Sequence, residues 1–295
     1  MLQRYLNPSV LASISGLDLV AKTVVEGFIA GLHRSPDFGF SQEFAEYRAY
    51  NPGDDLRHVD WNVFARSEKM YLKRFKGETN TLVTLLLDCS GSMKYGTQGA
   101  NKLEYARFLA ASIAYMASKQ RDAIGLVAFD DEVRNYIQPS GRQGQLHRVL
   151  NAIGHAEIGV RTDFAKPFMH CMQFLSRRGL VVVISDFYEE PEKIIKALAP
   201  LGSRGNEVAL FHVLDPEEIA PKLGDAALLL DMETQETLEV TPEYARQEYV
   251  EKINSHIALL KSKAQAANMD YCLMATDRPL DAGLREYLGA RKGRL

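Results

Sequence analysis

One short segment brings together oxygen-bearing side chains that could do chemistry. Asp88, Ser90 and Ser92 follow the largely apolar run 82–87 at alternate positions, with Gly91 between the two serines. A run of this kind predicts a buried strand, so these side chains stand at its carboxyl end. Because glycine lets the loop curl over the strand, all three side chains can point at one centre. Three functions compete for this segment: a phosphatase-like nucleophile, a phosphate-binding loop and a metal-ion site.

The first two functions lack residues that they require. Neither GxxxxGK[ST] nor GxGxxG occurs in the sequence, which argues against a phosphate-binding loop. An aspartyl phosphatase or phosphotransferase would use a second acid two residues after Asp88 as general acid, and that position is Ser90. Cys89 as a nucleophile would need an arginine shortly downstream to hold the phosphate, and the run 93–95 (MKY) contains none.

A site for a hard cation fits the segment better. Mg²⁺ prefers about six oxygen ligands at ~2.1 Å. Asp186 ends the apolar run 181–185, and Thr162 and Asp163 precede a predicted helix, so further oxygen ligands come from other loops at the same edge. Taken singly, Thr162 or Asp163 is an ordinary helix N-cap and Asp186 a turn residue. Their convergence predicts a site for Mg²⁺, or for Mn²⁺ or Ca²⁺.

The elements that must position these residues alternate from about residue 80 onward. The predicted strands are 82–87, 123–129, 133–137, 180–185, 207–213 and 270–275, and the predicted helices between them are 103–119, 164–177 and 192–201. This alternation predicts a doubly wound, mostly parallel six-stranded α/β sheet with helices on both faces. The link 130–132 is too short for a parallel crossover, so strand 133–137 is predicted to be an antiparallel edge strand.

The remaining segments predict two additions to this sheet. Apolar runs on either side of residues 233–236 indicate a small β-hairpin insertion at about 226–240, before a helix capped by Thr241. Residues 17–32 suit a helix, and the polar and aromatic sequence behind them has no regular pattern. We therefore expect an N-terminal arm, 1–78, of one helix and an irregular segment, packed on a main domain, 79–295.

The candidate ligands resemble a known site. Asp88, Ser90, Ser92, Thr162 and Asp186 look like the DxSxS…T…D metal-ion-dependent adhesion site (MIDAS) of von Willebrand factor type A domains. The predicted order of strands and helices agrees with that fold, which is a Rossmann-like α/β sheet. One departure is that residues 160–161 (VR) stand before the threonine, where a glycine pair is common.

The arm contains a second recognisable set of residues: Glu43, Phe44, Arg48, Ala49, Tyr50, the run 52–61 (PGDDLRHVDW), Ala65 and Arg66. This set is similar to the signature of the bacterial DUF58 family, whose members carry a von Willebrand type A domain behind this segment. Its charged residues suggest a buried ion-pair lattice with Trp61 as hydrophobic anchor, or else a partner-binding surface; they are Asp54, Asp55, Arg57, Asp60 and Arg66.

The resemblance implies a function without catalysis. Ser90, Ser92 and Thr162 would be direct or near-direct metal ligands, and Asp88 and Asp186 would bind the ion directly or through water. The under-neutralised ion would attract an acidic side chain of a partner protein. The resemblance also implies joint action with a MoxR-type AAA+ ATPase in assembling or activating protein complexes. The alternatives are a metal-dependent phosphohydrolase and a structural scaffold with an empty metal site.

The composition excludes several other classes of protein. A formal net charge of −3 argues against binding to nucleic acid or to an anionic membrane. No stretch approaches the roughly 18 consecutive apolar residues of a membrane span, and the start lacks the apolar core of a signal peptide. Three cysteines without CxxC spacing predict a reducing compartment. We therefore expect a soluble cytoplasmic protein.

Overall fold

The computed structural model describes residues 8–11, 16–32, 44–50, 59–67, 69–75, 81–97, 99–159, 165–175, 178–222, 227–230, 237–241 and 244–292. The chain forms two compact units. The first consists of residues 1–28 together with 81–295, and the second of residues 29–80. The proposed division into 1–78 and 79–295 stays a prediction, although most of the N-terminal helix belongs by its contacts to the first unit.

Helices and strands alternate through most of the described chain. The helices are α1 (Pro8–Leu11), α2 (Leu17–Leu32), α3 (Trp61–Ser67), α4 (Lys102–Lys119), α5 (Gln145–Gly154), α6 (Ala165–Phe174), α7 (Pro191–Ser203), α8 (Pro216–Ile219), α9 (Val250–Ala266) and α10 (Leu280–Lys292). The strands are β1 (Phe44–Ala49), β2 (Tyr71–Phe75), β3 (Leu82–Asp88), β4 (Ala123–Phe129), β5 (Val133–Ser140), β6 (Leu180–Ser185), β7 (Glu207–Leu214), β8 (Ala227–Leu230), β9 (Thr237–Val240) and β10 (Asp270–Ala275). A 3₁₀ turn at Gly91–Lys94 and a π-helical turn at Ala245–Tyr249 complete the set.

Six strands form the central sheet in the order β10-β7-β6-β3-β4-β5. Neighbouring strands are parallel except β4 and β5, which pair antiparallel. The link between β4 and β5 is so short that the two strands must form an antiparallel hairpin. β5 is the edge strand of the sheet. This confirms the predicted doubly wound, mostly parallel sheet with one antiparallel edge strand.

The sheet is covered on both faces, as its apolar sequence requires. Val181 and Val183 of β6 belong to a core formed with α6, α7 and α9, where Phe168, Ile194 and Leu260 lie. Successive side chains of a strand point to opposite faces, so Val182, between the two valines, faces the other side, and it is buried as well. Helix α4 contacts β3, β4, β6 and β7. Burial on both faces explains why the strands read as continuous apolar runs.

Two helices beside α4 complete its environment. The structure places α5, which the sequence analysis did not predict, next to α4. Ala21 of α2 packs with Ala111 of α4 and Leu150 of α5 in a small apolar cluster. At the start of α4, the Asn101 side chain accepts a hydrogen bond of 2.8 Å from the backbone N–H of Glu104. This N-cap fixes where α4 begins, which matters because the first residues of the helix reach the candidate site.

The second unit contains regular structure that the sequence analysis did not predict. β1 and β2 pair antiparallel, and α3 lies between them in sequence. The expectation of an irregular segment is therefore wrong for these residues. β1 (FAEYRA) and β2 (YLKRF) have no continuous apolar run like those of the central strands, and charged residues interrupt both of them, so the local sequence does not mark them as strands.

The arm signature is only partly described. Asp60 is buried and caps α3, with its carboxylate accepting a hydrogen bond of 3.2 Å from the backbone N–H of Val63. The expectation that Trp61 is a hydrophobic anchor is wrong, because its side chain is 53% exposed and packs edge-on against the ring of Phe64. Arg66 is exposed at the end of the helix. Asp54, Asp55 and Arg57 lie outside the described residues.

The predicted insertion is present as β8 and β9, which pair antiparallel. Beyond it, the Thr241 hydroxyl accepts a hydrogen bond of 3.3 Å from the backbone N–H of Tyr244, ahead of the π-helical turn and α9. Within the part of the chain that the structure describes, no helix combines the length and apolar character needed to cross a membrane.

Replacing Gly125 should destabilise the sheet. Gly125 lies in β4 at an irregularity in the β4–β5 register, and a Cβ atom there would lie 2.7 Å from the carbonyl oxygen of Ile137 and 2.7 Å from Pro139. Because both neighbours are held in the edge strand, Gly125→Ala should lower the free energy of unfolding by about 1–3 kcal/mol, measured by urea denaturation. Gly154→Ala is the control, since nothing lies within 4 Å of its added Cβ. An equal effect of the two substitutions would contradict this account.

Candidate metal centre

The candidate site lies where the sheet changes its direction of winding. β4 lies on one side of β3, and the chain then returns to place β6 on the other side. In open α/β sheets, ligands bind at this point, outside the carboxyl ends of the strands. Asp88 is the last residue of β3 and Asp186 follows β6 directly. The predicted convergence of these two strand ends is present, since Leu87 pairs with Ile184 in the parallel ladder.

The Asp88 carboxylate is held on both of its oxygens. Its Oδ1 accepts a hydrogen bond of 2.8 Å from the backbone N–H of Ser90, and its Oδ2 accepts one of 2.5 Å from the hydroxyl of Ser185. The Ser185 hydroxyl in turn accepts a hydrogen bond of 2.9 Å from the backbone N–H of Phe187. These bonds orient a carboxylate that is completely buried.

The two serines of the motif face each other. Their Oγ atoms are 3.1 Å apart, so the hydroxyls of Ser90 and Ser92 lie on the same side of the loop. The 3₁₀ turn at 91–94 produces this arrangement, with the backbone N–H of Met93 donating to the carbonyl of Ser90 at 3.2 Å. Ser90 is fully buried and Ser92 is half-buried. The site therefore approaches the surface at Ser92.

Cys89 has no role as a nucleophile in this geometry. Its thiol is buried and donates a hydrogen bond of 3.6 Å to the carbonyl of Leu87. Burial, reinforced by the negative charge of Asp88, raises the pKa of the Cys89 thiol to about 12. A protonated and inaccessible thiol does not attack a substrate.

Asp186 forms an ion pair that the sequence analysis did not anticipate. The Nζ atom of Lys102 lies 2.7 Å from Oδ2 of Asp186 and 2.6 Å from Oε1 of Glu218. The side chain of Lys102 is 0% exposed. Burial alone would lower its pKa, but the two carboxylates outweigh that effect and raise the pKa above its usual value. Lys102 is therefore a fully buried, charged ammonium group.

Glu218 is itself held by the loop that follows β7. Its Oε2 accepts a hydrogen bond of 2.8 Å from the backbone N–H of Asp215, and the Asp215 carboxylate accepts one of 2.9 Å from the backbone N–H of Glu217. Asp215 also accepts hydrogen bonds from the backbone N–H and the hydroxyl of Thr97, at 2.9 and 2.6 Å. The carboxyl ends of β3, β6 and β7 are thus joined by one buried polar network.

Two like charges lie close together in this network. Burial, together with the neighbouring negative charge of Asp186, raises the pKa of Asp88 from 3.8 to about 7. Hydrogen bonds from Ser185 and Ser90 offset only part of this shift. Lys102 touches Asp186, so Asp88 is the carboxylate whose charge lacks a cation at contact distance among the described residues.

Thr162, the remaining candidate ligand, lies outside the described residues, but the segment before it is anchored at the site. The backbone N–H of Gly159 donates a hydrogen bond of 2.6 Å to the carbonyl of Cys89. Gly159 also packs closely on Asp130, since an added Cβ would overlap that carboxylate. The chain thus reaches the Asp88–Ser92 loop three residues before Thr162.

Sequence reasoning missed three of the residues that hold the site: Ser185, Lys102 and Glu218. Ser185 directly precedes Asp186, and its place at the end of an apolar run was the one available signal. Lys102 and Glu218 gave no signal, because charged residues on a helix normally face the solvent.

The residues present fit a hard divalent cation. Among the described residues, no group of three or more His, Cys, Asp or Glu side chains is placed to hold a metal. The candidate site consists instead of two carboxylates and two hydroxyls, an all-oxygen donor set of the kind that Mg²⁺ prefers. A cation bound there would neutralise the negative charge that Asp88 and Asp186 carry close together. Asp88, Ser90, Ser92 and Asp186 would hold it.

The sequence also identifies the family. Residues 46–258 match the family described as "Protein of unknown function DUF58". The chain belongs to the DUF58 family. The matched range includes Asp88, Ser90, Ser92, Thr162 and Asp186, and it begins inside β1 of the second unit.

Bacterial relatives extend this similarity over nearly the full chain. The chain is 29% identical over 292 residues to "Uncharacterized protein Mb1516" of Mycobacterium bovis, covering 97% of this chain and 91% of the relative. The values for "Uncharacterized protein Rv1480" of Mycobacterium tuberculosis are the same.

Two solved structures show some similarity in fold to this chain. The conserved hypothetical protein BatB from Bacteroides thetaiotaomicron matches with a TM-score of 0.47 and 13% identity, covering 71% of this chain and 97% of that one. The SpRpn10 VWA domain matches with a TM-score of 0.40 and 10% identity, covering 70% of this chain and 95% of that one.

The pKa of Asp88 leads to a testable dependence of stability on pH. Its folded-state pKa of about 7 lies above the ordinary 3.8, so between these values the folded chain holds a proton that the unfolded chain releases. The stability from this group is therefore present at low pH and lost as the pH rises towards 7.

Asp88→Asn removes this titration while keeping the shape of the side chain. In buffer containing EDTA, it should gain roughly 2 kcal/mol relative to the wild type between about pH 5 and about pH 8, measured by urea denaturation. Asp277→Asn, which removes a carboxylate at an exposed turn, is the matched control. A constant difference between Asp88→Asn and the wild type would show that Asp88 does not titrate in this range.

Proposed function

We propose that this DUF58 protein is a Mg²⁺-dependent protein-binding adaptor whose metal site docks an acidic side chain of a partner. The observation that carries the proposal is the geometry of the site. Asp88, Ser90 and Asp186 are buried, while the half-buried hydroxyl of Ser92 marks the side that faces the solvent. A divalent ion bound there would have room for a further oxygen ligand on its outer side, supplied by a partner's carboxylate.

Some residues of the chain orient the two carboxylates that would bind the ion, and others supply neutral oxygen ligands. The backbone N–H of Ser90 and the hydroxyl of Ser185 orient Asp88, and Lys102 orients Asp186. The two serine hydroxyls add neutral oxygens, which leave more of the positive charge of the ion uncompensated than carboxylates would. Such a site favours an anionic ligand from outside.

Reactive groups near the site are buried, which favours binding over catalysis. The thiol of Cys89 is protonated and inaccessible. His212 is fully buried, its Nδ1 lies 2.7 Å from the hydroxyl of Tyr271, and burial lowers its pKa to about 3. A group buried in this way does not exchange protons with a bound substrate.

Exposed aromatic and aliphatic side chains border the site and suit a protein partner. Tyr95 and Tyr188 are 36% and 44% exposed, and their rings lie 5.9 and 4.8 Å from Nζ of Lys102. Ile158 is also exposed, and it precedes Gly159, whose backbone N–H donates a hydrogen bond to the carbonyl of Cys89. Large apolar residues around a polar centre are typical of a protein-binding surface.

The proposed partner is a MoxR-type AAA+ ATPase, with which the adaptor would assemble or activate other protein complexes. The support for this partner is the resemblance of the arm and of the DxSxS motif to DUF58 proteins with a von Willebrand type A domain. The proposed setting is the cytoplasm, since Cys89, Cys171 and Cys272 are free and buried, as suits a reducing compartment.

Loss of a metal-holding residue should weaken the binding of the partner. The experiment uses the full chain and a purified MoxR-type ATPase from the same organism, with Mg²⁺ or with EDTA. We expect Mg²⁺-dependent co-purification, release by EDTA, and affinity reduced by about tenfold or more in Ser92→Ala and Asp88→Ala.

Ser203→Ala is the matched control for Ser92→Ala. Its hydroxyl is exposed and makes a local hydrogen bond of 2.9 Å to the carbonyl of Pro200 on α7. The control should bind as the wild type does. Retention of the ATPase by Asp88→Ala at wild-type affinity would rule out docking through the metal.

A further inference from the structure

Lys102 stands out among the charged residues of the described chain because its ammonium group is fully enclosed. Its side chain is 0% exposed, and Nζ makes contacts of 2.7 and 2.6 Å with Asp186 and Glu218. The rings of Tyr188 and Tyr95 lie 4.8 and 5.9 Å from Nζ. Lysine is seldom fully buried, because removing its charge from water costs free energy that charged partners must offset.

The position of this ammonium group is more informative than its burial. It touches Asp186, one of the two carboxylates that would hold a metal ion. When all three carboxylates are ionised, Asp88, Asp186 and Glu218 contribute three negative charges and Lys102 one positive charge, an excess of two negative charges. A divalent ion supplies the balancing charge, but it must share Asp186 with the ammonium group.

Glu218 shares the ammonium group with Asp186. Lys102 lies between two carboxylates at nearly equal distances, and Glu218 is fixed by its second oxygen, which accepts the backbone N–H of Asp215. That bond forms part of the capping box of α8. The position of α8 therefore fixes the carboxylate of Glu218 that contacts the ammonium group opposite Asp186.

We propose that Lys102 is an internal cation that competes with the divalent ion for Asp186, and that Glu218 tunes this competition by drawing the ammonium group away. The inference rests on the proposed metal site and adds a determinant of its affinity outside the metal ligands. Lys102 and Glu218 are positioning residues in this scheme, since neither would touch the ion.

The proposal predicts effects of opposite sign for the two members of one ion pair. Lys102→Met frees Asp186 and adds one negative charge to the cluster, so divalent-ion affinity should rise. Glu218→Gln leaves Asp186 as the sole carboxylate in contact with the ammonium group, so affinity should fall. Were the ion pair only a structural brace for Asp186, both substitutions would weaken metal binding.

The double variant Lys102→Met/Glu218→Gln separates competition from net charge. It removes one positive and one negative charge, so the cluster keeps its excess of two negative charges. It also avoids leaving one buried partner of the ion pair uncompensated, which is the main threat to folding in the single variants. Affinity should still rise above that of the wild type, because the competitor for Asp186 is gone.

The test is Mn²⁺ binding by the full chain, measured by electron paramagnetic resonance of free Mn²⁺ and repeated with Mg²⁺ by calorimetry. We expect the dissociation constant to fall by about tenfold in Lys102→Met and in the double variant, and to rise by about tenfold in Glu218→Gln. The matched controls are Lys263→Met and Glu192→Gln. They remove the same charges at a surface ion pair of 2.9 Å and should leave the affinity unchanged.

The outcomes distinguish this inference from the proposed function. Unchanged or weaker Mn²⁺ binding in Lys102→Met, or in the double variant if the single variant does not fold, overturns the competition while the metal site stands. Binding by these variants but not by the wild type supports the competition and overturns metal-dependent docking by the native chain. No binding by any of the proteins overturns both.

Discussion

The architecture of the candidate site depends on the burial of two carboxylates at adjacent strand ends. Asp88 and Asp186 are almost completely excluded from solvent, and the parallel pairing of β3 with β6 brings them together. Two buried negative charges repel each other strongly because the protein interior screens charge poorly. Each neighbouring polar contact at the carboxyl edge of the sheet can be understood as a response to this constraint.

The responses differ for the two carboxylates. Asp186 is in contact with the charged ammonium group of Lys102, which it shares with Glu218. Asp88 is held by neutral donors, the backbone N–H of Ser90 and the hydroxyl of Ser185. Neutral donors orient a carboxylate but do not cancel its charge, which is why the pKa of Asp88 remains raised. This asymmetry leaves room for one more cation beside Asp88 and the serine hydroxyls.

The constraint also connects the site to distant parts of the fold. The ammonium group that contacts Asp186 also contacts Glu218, and Glu218 is held by the turn after β7. A change in the loop after β7 would thus alter the electrostatics at β3 and β6. Asp215 adds a second link, since it binds Thr97 in the loop between the DxSxS motif and α4.

The sequence by itself determined the sheet and the residues at its carboxyl ends. Apolar runs covered on both faces marked the strands, the short link after β4 marked the edge strand, and Asp88 and Asp186 followed from the strand ends. The tertiary structure alone decided what surrounds these residues. Lys102 meets Asp186 and Glu218 across 84 and 116 residues of chain, and no local pattern marks a helical lysine as buried.

The errors in the second unit have a related cause. Charged residues interrupt β1 and β2, so no apolar run marked them as strands, and the exposure of Trp61 depends on what packs around α3. Hydrophobic periodicity is a property of neighbouring residues, so sequence predicts which segments are buried in a regular sheet. Electrostatic partners and the exposure of a single side chain are set by contacts between distant segments, and these exist only once the chain has folded.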